Sequence, residues 1–173
     1  MEIPAEDRSL GLLAATLGTT ARVFHTGFVV RDLDGAMGVL GEALGVDWAR
    51  PLATPPLRLR TREGDVHVPG MRLTYSAQPA HVELIEEVPG SLWSADAGLR
   101  GHHIGLWSTD LAGDSARLAA LGLPLHTHGL NDDDSIATFA YHETPFGMYL
   151  ELVDSAVKSF YSQWFASAVG TAA

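Results

Sequence analysis

The sequence predicts an α+β fold made of two tandem βαβββ modules, and three repeated features predict it. His25-Thr-Gly27-Phe-Val-Val-Arg-Asp32-Leu33 aligns with His103-Ile-Gly105-Leu-Trp-Ser-Thr-Asp110-Leu111, with His, Gly, Asp and Leu at identical spacing. Each copy runs into a helical pattern that ends in Leu-Gly, at Leu44-Gly45 and at Leu121-Gly122. Each then closes on an apolar run with a central glutamate, His81-Val-Glu83-Leu-Ile85 in the first and Tyr149-Leu-Glu151-Leu-Val153 in the second. Three matches in the same order are the signature of a duplicated unit.

The elements follow in order. Residues 1–21 form an N-terminal extension with a short apolar helix candidate around 10–17. The first module spans 22–90. Its β-branched and aromatic start predicts a strand over Val23–Val30. Asp32 or Asp34 caps the following helix, which 36–44 fills and Gly45 ends. Three prolines make 51–56 a loop, and strands are expected over Leu57–Thr61, 71–77 and 81–88. Residues 91–101 form the linker. The second module, 102–154, repeats the plan with a strand at His103–Ser108, a helix over 113–121 behind Asp110, and strands near 125–128, 136–142 and 148–153. Beyond it, 155–173 carries Val157, Phe160, Tyr161, Trp164, Phe165 and Ala168 at amphipathic-helix spacing, an aromatic stripe expected to pack on the domain.

Composition narrows the function classes. A chain of 173 residues suits one domain or two small fused modules, and 46% hydrophobic residues exclude general disorder. The net charge of −10 disfavours nucleic acid and anionic lipid as partners, and Lys158 is the sole lysine among eleven basic residues. No cysteine is present, which removes disulfides, thiolate metal sites and a cysteine nucleophile. No apolar run reaches the roughly 18 residues of a membrane span. The acidic start lacks the positive region of a secretion signal, so a cytoplasmic location is expected.

Residues two apart on a strand share a face. That places His25 with Gly27, His103 with Gly105, His81 with Glu83, and Tyr149 with Glu151. A glutamate in a buried apolar strand is costly unless its charge is compensated. Two such glutamates and two histidines at equivalent repeat positions converge if the modules are related by a pseudo-twofold axis, and together they suit a divalent transition metal. A single histidine here would read as an ordinary strand residue; the set of four favours the metal. Gly27 and Gly105 leave room beside it. His126 and His128 read as surface residues on an edge-like strand, and His67 as a loop residue without a role.

These motifs, with the His102-His103-Ile-Gly start and the Pro145-Phe-Gly-Met-Tyr-Leu-Glu151-Leu close, resemble the vicinal oxygen chelate superfamily over residues 22–154. The superfamily includes glyoxalase I, methylmalonyl-CoA epimerase, extradiol dioxygenases and antibiotic-resistance proteins. The resemblance implies a curved mixed sheet around one divalent ion (Ni, Co, Mn, Mg or Zn), with His25, Glu83, His103 and Glu151 as ligands. It also implies a homodimer and a small-molecule substrate captured through two oxygens. Four ligands point to the epimerase or glyoxalase branch, an isomerase or lyase working through a metal-stabilised enolate. The alternatives are an Fe(II) dioxygenase, whose family members lack the ligand at the position of Glu83, and a non-catalytic binding protein. Candidate bases are Glu151, His81 and Glu143. The pocket lining is expected from Trp107, Tyr149, Met148 and Phe28, with Trp48 and Trp93 as further candidates. Arg58, Arg60 and Arg62 alternate on one strand and are candidates for a CoA phosphate contact, though the acidic chain favours a smaller substrate.

Overall fold

The computed structural model describes residues 22–97 and 101–168; the helix candidate around 10–17 lies outside them. Among the described residues ten strands form one curled sheet, a half-barrel, with three helices. In chain order these are β1 (Val23–Val30), α1 (Leu33–Leu44), β2 (Leu52–Ala53), β3 (Leu57–Thr61), β4 (Gly64–Val68), β5 (Arg72–Tyr75) and β6 (His81–Glu86). The second half supplies β7 (His103–Ser108), α2 (Leu111–Ala120), β8 (Leu125–Leu130), β9 (Ile136–Glu143), β10 (Tyr149–Asp154) and α3 (Lys158–Phe165).

The spatial order β2-β5-β6-β1-β7-β10-β9-β8-β3-β4 is symmetric about the β1–β7 seam as far as β2 and β8. β1 and β7 pair antiparallel there, and each pairs parallel with the closing strand of its own half, β6 or β10. Strands with both faces covered bury apolar side chains on each. Leu84, Leu106, Leu150 and Leu152 turn outward under α1 and α2, while Val29, Ile85 and Val153 turn into the concave face.

The helices start and stop where side-chain chemistry dictates. Asp32, rather than Asp34, caps α1 by accepting from Gly35 N, and Asp110 caps α2 by accepting from Gly113 N. Each cap satisfies an amide that has no partner within its helix. Gly45 ends α1 at φ 65°, a left-handed conformation that costs glycine little.

Three expectations need correction. The proline-rich stretch holds β2, a two-residue strand on β5, and it is β2 that stands opposite β8 in the symmetric order. Leu57–Thr61 does form a strand, but in a β3–β4 hairpin that crosses to the far edge and pairs with β8. Leu57 and Leu59 pack toward the core, while Arg58 and Arg60 pair outward with Asp134 and Asp65. His67 therefore lies in β4, not in a loop. Because β3 covers β8, His128 is buried rather than on the surface, its Nδ1–H donating to Gly129 O (2.9 Å).

The aromatic stripe of α3 packs as expected. Val157, Tyr161, Trp164 and Phe165 lie against the concave core, Trp164 Nε1 donates to Arg50 O (2.7 Å), and Phe160 stays 48% exposed. Among the described residues no helix is long and apolar enough to cross a membrane.

Candidate metal centre

The seam strands bring the two halves of the repeat into contact. In the β1–β7 register His25 stands opposite Gly105 and Gly27 opposite His103. Each histidine ring fills the space over the other half's glycine, so that a Cβ on Gly27 would come within 2.0 Å of His103 Cε1, and one on Gly105 within 2.0 Å of His25 Cε1. The glycines are the room the rings need.

The four repeated residues meet at one point on the concave face. His25 Nε2 and His103 Nε2 are 3.0 Å apart. Glu83 Oε2 lies 2.9 Å from His103 Nε2 and 3.4 Å from His25 Nε2. Glu151 Oε2 lies 3.1 Å from His25 Nε2 and 3.5 Å from His103 Nε2. Both histidines are fully buried and the glutamates are 5% and 7% exposed. Donors held about 2.1 Å from one ion sit roughly 3.0–3.4 Å from their neighbours, so this donor set fits a divalent cation. Two further observations agree. Glu151 Oε2 is buried facing the two histidine nitrogens, and His103 Nδ1–H donates to Gly101 O (2.9 Å), which aims the Nε2 lone pair at the cluster.

Burial alone would lower the pKa of His25, but Glu151 and Glu83 outweigh it and push it up to about 9. Burial opposes the charge on Glu83 as well, yet His103 and His25 hold its carboxyl well below the usual range. In the ion-free protein the cluster is thus held together by charge. A raised histidine pKa contributes stability that is fully present below its unfolded value near 6.5 and is lost as pH rises through about 9. A cation needs His25 neutral, so binding expels its proton. Zinc affinity is expected to rise about tenfold per pH unit up to about pH 9 and then level off. Calorimetry at pH 7 in two buffers of different ionisation enthalpy should count about one proton released per ion; a count of zero would contradict this charge arrangement.

Phenols ring the carboxylates. Tyr75 pairs with Glu83 across β5–β6, and Tyr141 with Glu151 across β9–β10. Burial first, and then the two glutamates, raise the pKa of Tyr75, Tyr141 and Tyr161, so all three remain proton donors. With Trp93, whose Nε1 donates to Tyr141 Oη (3.4 Å), they enclose a chamber of about 150 Å³ that Glu83 and Glu151 also line. Tyr75 and Tyr141 escaped the sequence reading, although one signal was there: each precedes its glutamate by eight or ten residues, at the matching place in each half.

The remaining expected site residues scatter. His81 Nδ1–H donates to Ser76 O (2.8 Å), and its ring stacks on Phe165 at the other side of α3. Glu143 is tied to Arg62 (3.1 Å) and His126 (3.0 Å) and lines a separate cavity of about 550 Å³. Tyr149 borders that cavity beside His126, and Met148 lines a smaller hollow of about 140 Å³ with Gly147 and Tyr149. Trp107 stacks on Phe24 beneath α3. Phe28 is on the opposite face, 40% exposed beside His102, so it does not line the site. Trp48 is also outside, packed with Leu33 and Leu84. Arg58, Arg60 and Arg62 each hold a carboxylate.

The seam, the reciprocal glycines and the buried donor set define a chelate fold of two related halves. Residues 24–141 match the family model described as Glyoxalase/Bleomycin resistance protein/Dioxygenase superfamily, and the chain belongs to that superfamily. Among solved structures it is similar to methylmalonyl-CoA epimerase from Mycobacterium tuberculosis, at 20% identity and TM-score 0.55 over 81% of this chain and 91% of that one. It is also similar to a methylmalonyl-CoA epimerase in complex with methylmalonyl-CoA and NH4+, at 16% identity and TM-score 0.52 over 78% and 94%. A Streptomyces coelicolor methylmalonyl-CoA epimerase variant in complex with 2-nitronate-propionyl-CoA gives the same identity, score and coverage. At these identities the likeness is one of fold. No curated protein matches the sequence.

Proposed function

We propose that this chain is a metal-dependent isomerase or lyase that moves a proton beside the carbonyl of a small oxygenated substrate, in the manner of an epimerase or glyoxalase. The observation that carries the reading is the convergence of four buried donors, His25, Glu83, His103 and Glu151, at mutual distances suited to one ion. A divalent ion held there supplies Lewis-acid stabilisation for an enolate oxygen. Retention of Glu83 as a fourth donor favours this chemistry over the three-ligand dioxygenase type.

Glu151 is the side chain best placed to take the proton. Its Oε2 faces His25 Nε2 at 3.1 Å, the nitrogen whose proton a bound cation displaces, and it borders the chamber with Tyr141 and Tyr161. General bases act within hydrogen-bond reach of the proton they remove. His81 faces the cavity beyond α3 and Glu143 is engaged by Arg62 and His126, so neither lines the chamber. The phenols of Tyr75, Tyr141 and Tyr161, kept protonated, are donors for developing negative charge. Cavities for drug-sized ligands run from roughly 300 Å³ upward; a chamber of about 150 Å³ selects a compact head group. The acidic chain fits a modest substrate better than a CoA-sized polyanion.

The test is metal analysis followed by proton exchange. One divalent ion per chain is expected, with deuterium from solvent entering next to the carbonyl of small 2-oxo or 2-hydroxycarbonyl compounds, monitored by NMR. Chelation should abolish the exchange. Iron with oxygen consumption would transfer the chain to the dioxygenase reading, and absence of any bound metal would support a binding protein instead.

A further inference from the structure

Beyond α3 from the metal chamber lies a larger cavity, about 630 Å³ in volume. Its walls are aromatic: Phe24 stacks on Trp107 with ring centroids 3.9 Å apart, Phe165 stacks on His81 at 4.2 Å, and Tyr161 closes the inner side. Tyr161 borders both this cavity and the metal chamber, and Phe24 on this side stacks on Tyr75 on the other.

Lys158 stands at the edge of this cavity with Nζ 5.1 Å from the centre of the Trp107 ring. Arg22, Arg31, Arg58, Arg60, Arg62, Arg72 and Arg117 are all held by carboxylates. Lys158 has no carboxylate partner among the described residues. Helix stability does not account for it either, since a cation in the first turn opposes the helix dipole and no side chain caps α3. An aromatic-walled space with one uncommitted cation over a ring suits a flat apolar body that carries a negative group.

We propose that the cavity formed by Phe24, Trp107, Phe165 and Tyr161 is a binding site for a planar organic anion, with Lys158 as its counter-charge. The inference goes beyond the metal chemistry and does not depend on it. None of the four metal-site residues lines this cavity.

The experiment is a calorimetric titration of the full chain, as purified and again after chelation, with 2-naphthoate and its neutral counterpart 2-naphthamide. Saturable binding of naphthoate is expected, tighter than the amide and surviving chelation. Lys158→Ala should weaken naphthoate roughly tenfold, the scale of a partly desolvated charge contact, and leave the amide within about twofold. Lys158→Arg should restore most of the loss. Lys158 is exposed, so these variants are expected to fold, and circular dichroism checks it. The proposal is overturned if naphthoate does not bind, if the amide binds as tightly, if Lys158→Ala changes nothing, or if chelation abolishes binding and so places the anion at the ion.

Discussion

Gly27→Ala is expected to cost about 3 kcal/mol of stability and to abolish metal binding, because overpacking a rigid site reaches the upper end of the usual range. The added methyl would lie 2.0 Å from His103 Cε1, 2.2 Å from Nε2 and 2.6 Å from Nδ1, so it meets the whole ring and not a flexible tip. Two responses are open to the protein. If the strands separate, the β1–β7 seam weakens along with the packing around it. If the His103 ring swings away, packing recovers, but its hydrogen bond to Gly101 O and its place beside Glu83 are lost. Both routes remove a ligand. Gly105→Ala should behave the same way through His25. Thermal denaturation combined with zinc titration checks both variants; near-native stability with unchanged zinc affinity in either would refute the account of the seam.

The second large effect is expected at the carboxylates. Even outer-shell partners of metal ligands change affinity by about 10–100-fold, so Glu83→Ala and Glu151→Ala should each lower zinc affinity by at least about 100-fold. Either change also removes an anion that holds the charge of buried His25. In Glu151→Ala the His25 pKa should therefore fall, and the pH dependence of stability in the ion-free protein should flatten between about 6.5 and 9. Zinc titration and urea melts across that range measure the two consequences separately. Unchanged metal content in both variants would end the four-ligand assignment.

Much of this was legible in the residues because the repeat is written in side chains that chemistry constrains. His25 with Gly27 and His103 with Gly105 keep their spacing because each ring needs the other half's glycine opposite. Glu83 and Glu151 stand out because charge in an apolar strand demands a partner. The capping aspartates could be read for a similar local reason, to within the choice of Asp32 or Asp34 at the first helix. What escaped depends on distant pairing. β2 is two residues long in a proline-rich stretch, and the alternation of Leu57, Arg58, Leu59 and Arg60 announces a strand but not its neighbour, β8. Largely exposed β4 lacks the buried alternating face by which a strand is recognised. Nothing local distinguishes Tyr75 and Tyr141 from other strand aromatics; only the register across β5–β6 and β9–β10 puts them beside the glutamates.

The β3–β4 hairpin has a bearing on how the chain reaches this state. It belongs in sequence to the first half, yet it supplies the neighbour of β8 in the second, through contacts such as Leu59 with Gly129 and Arg60 with His128. A ribosome must therefore release most of the protein before the hairpin finds its place, and the first half emerges with an unpaired hairpin exposed. Such separations slow folding, since the entropy of closing the intervening loop is lost before the contact forms. The same strap makes the halves unfold together, so cutting the chain within 91–101 would leave two fragments, each missing an edge that the other holds.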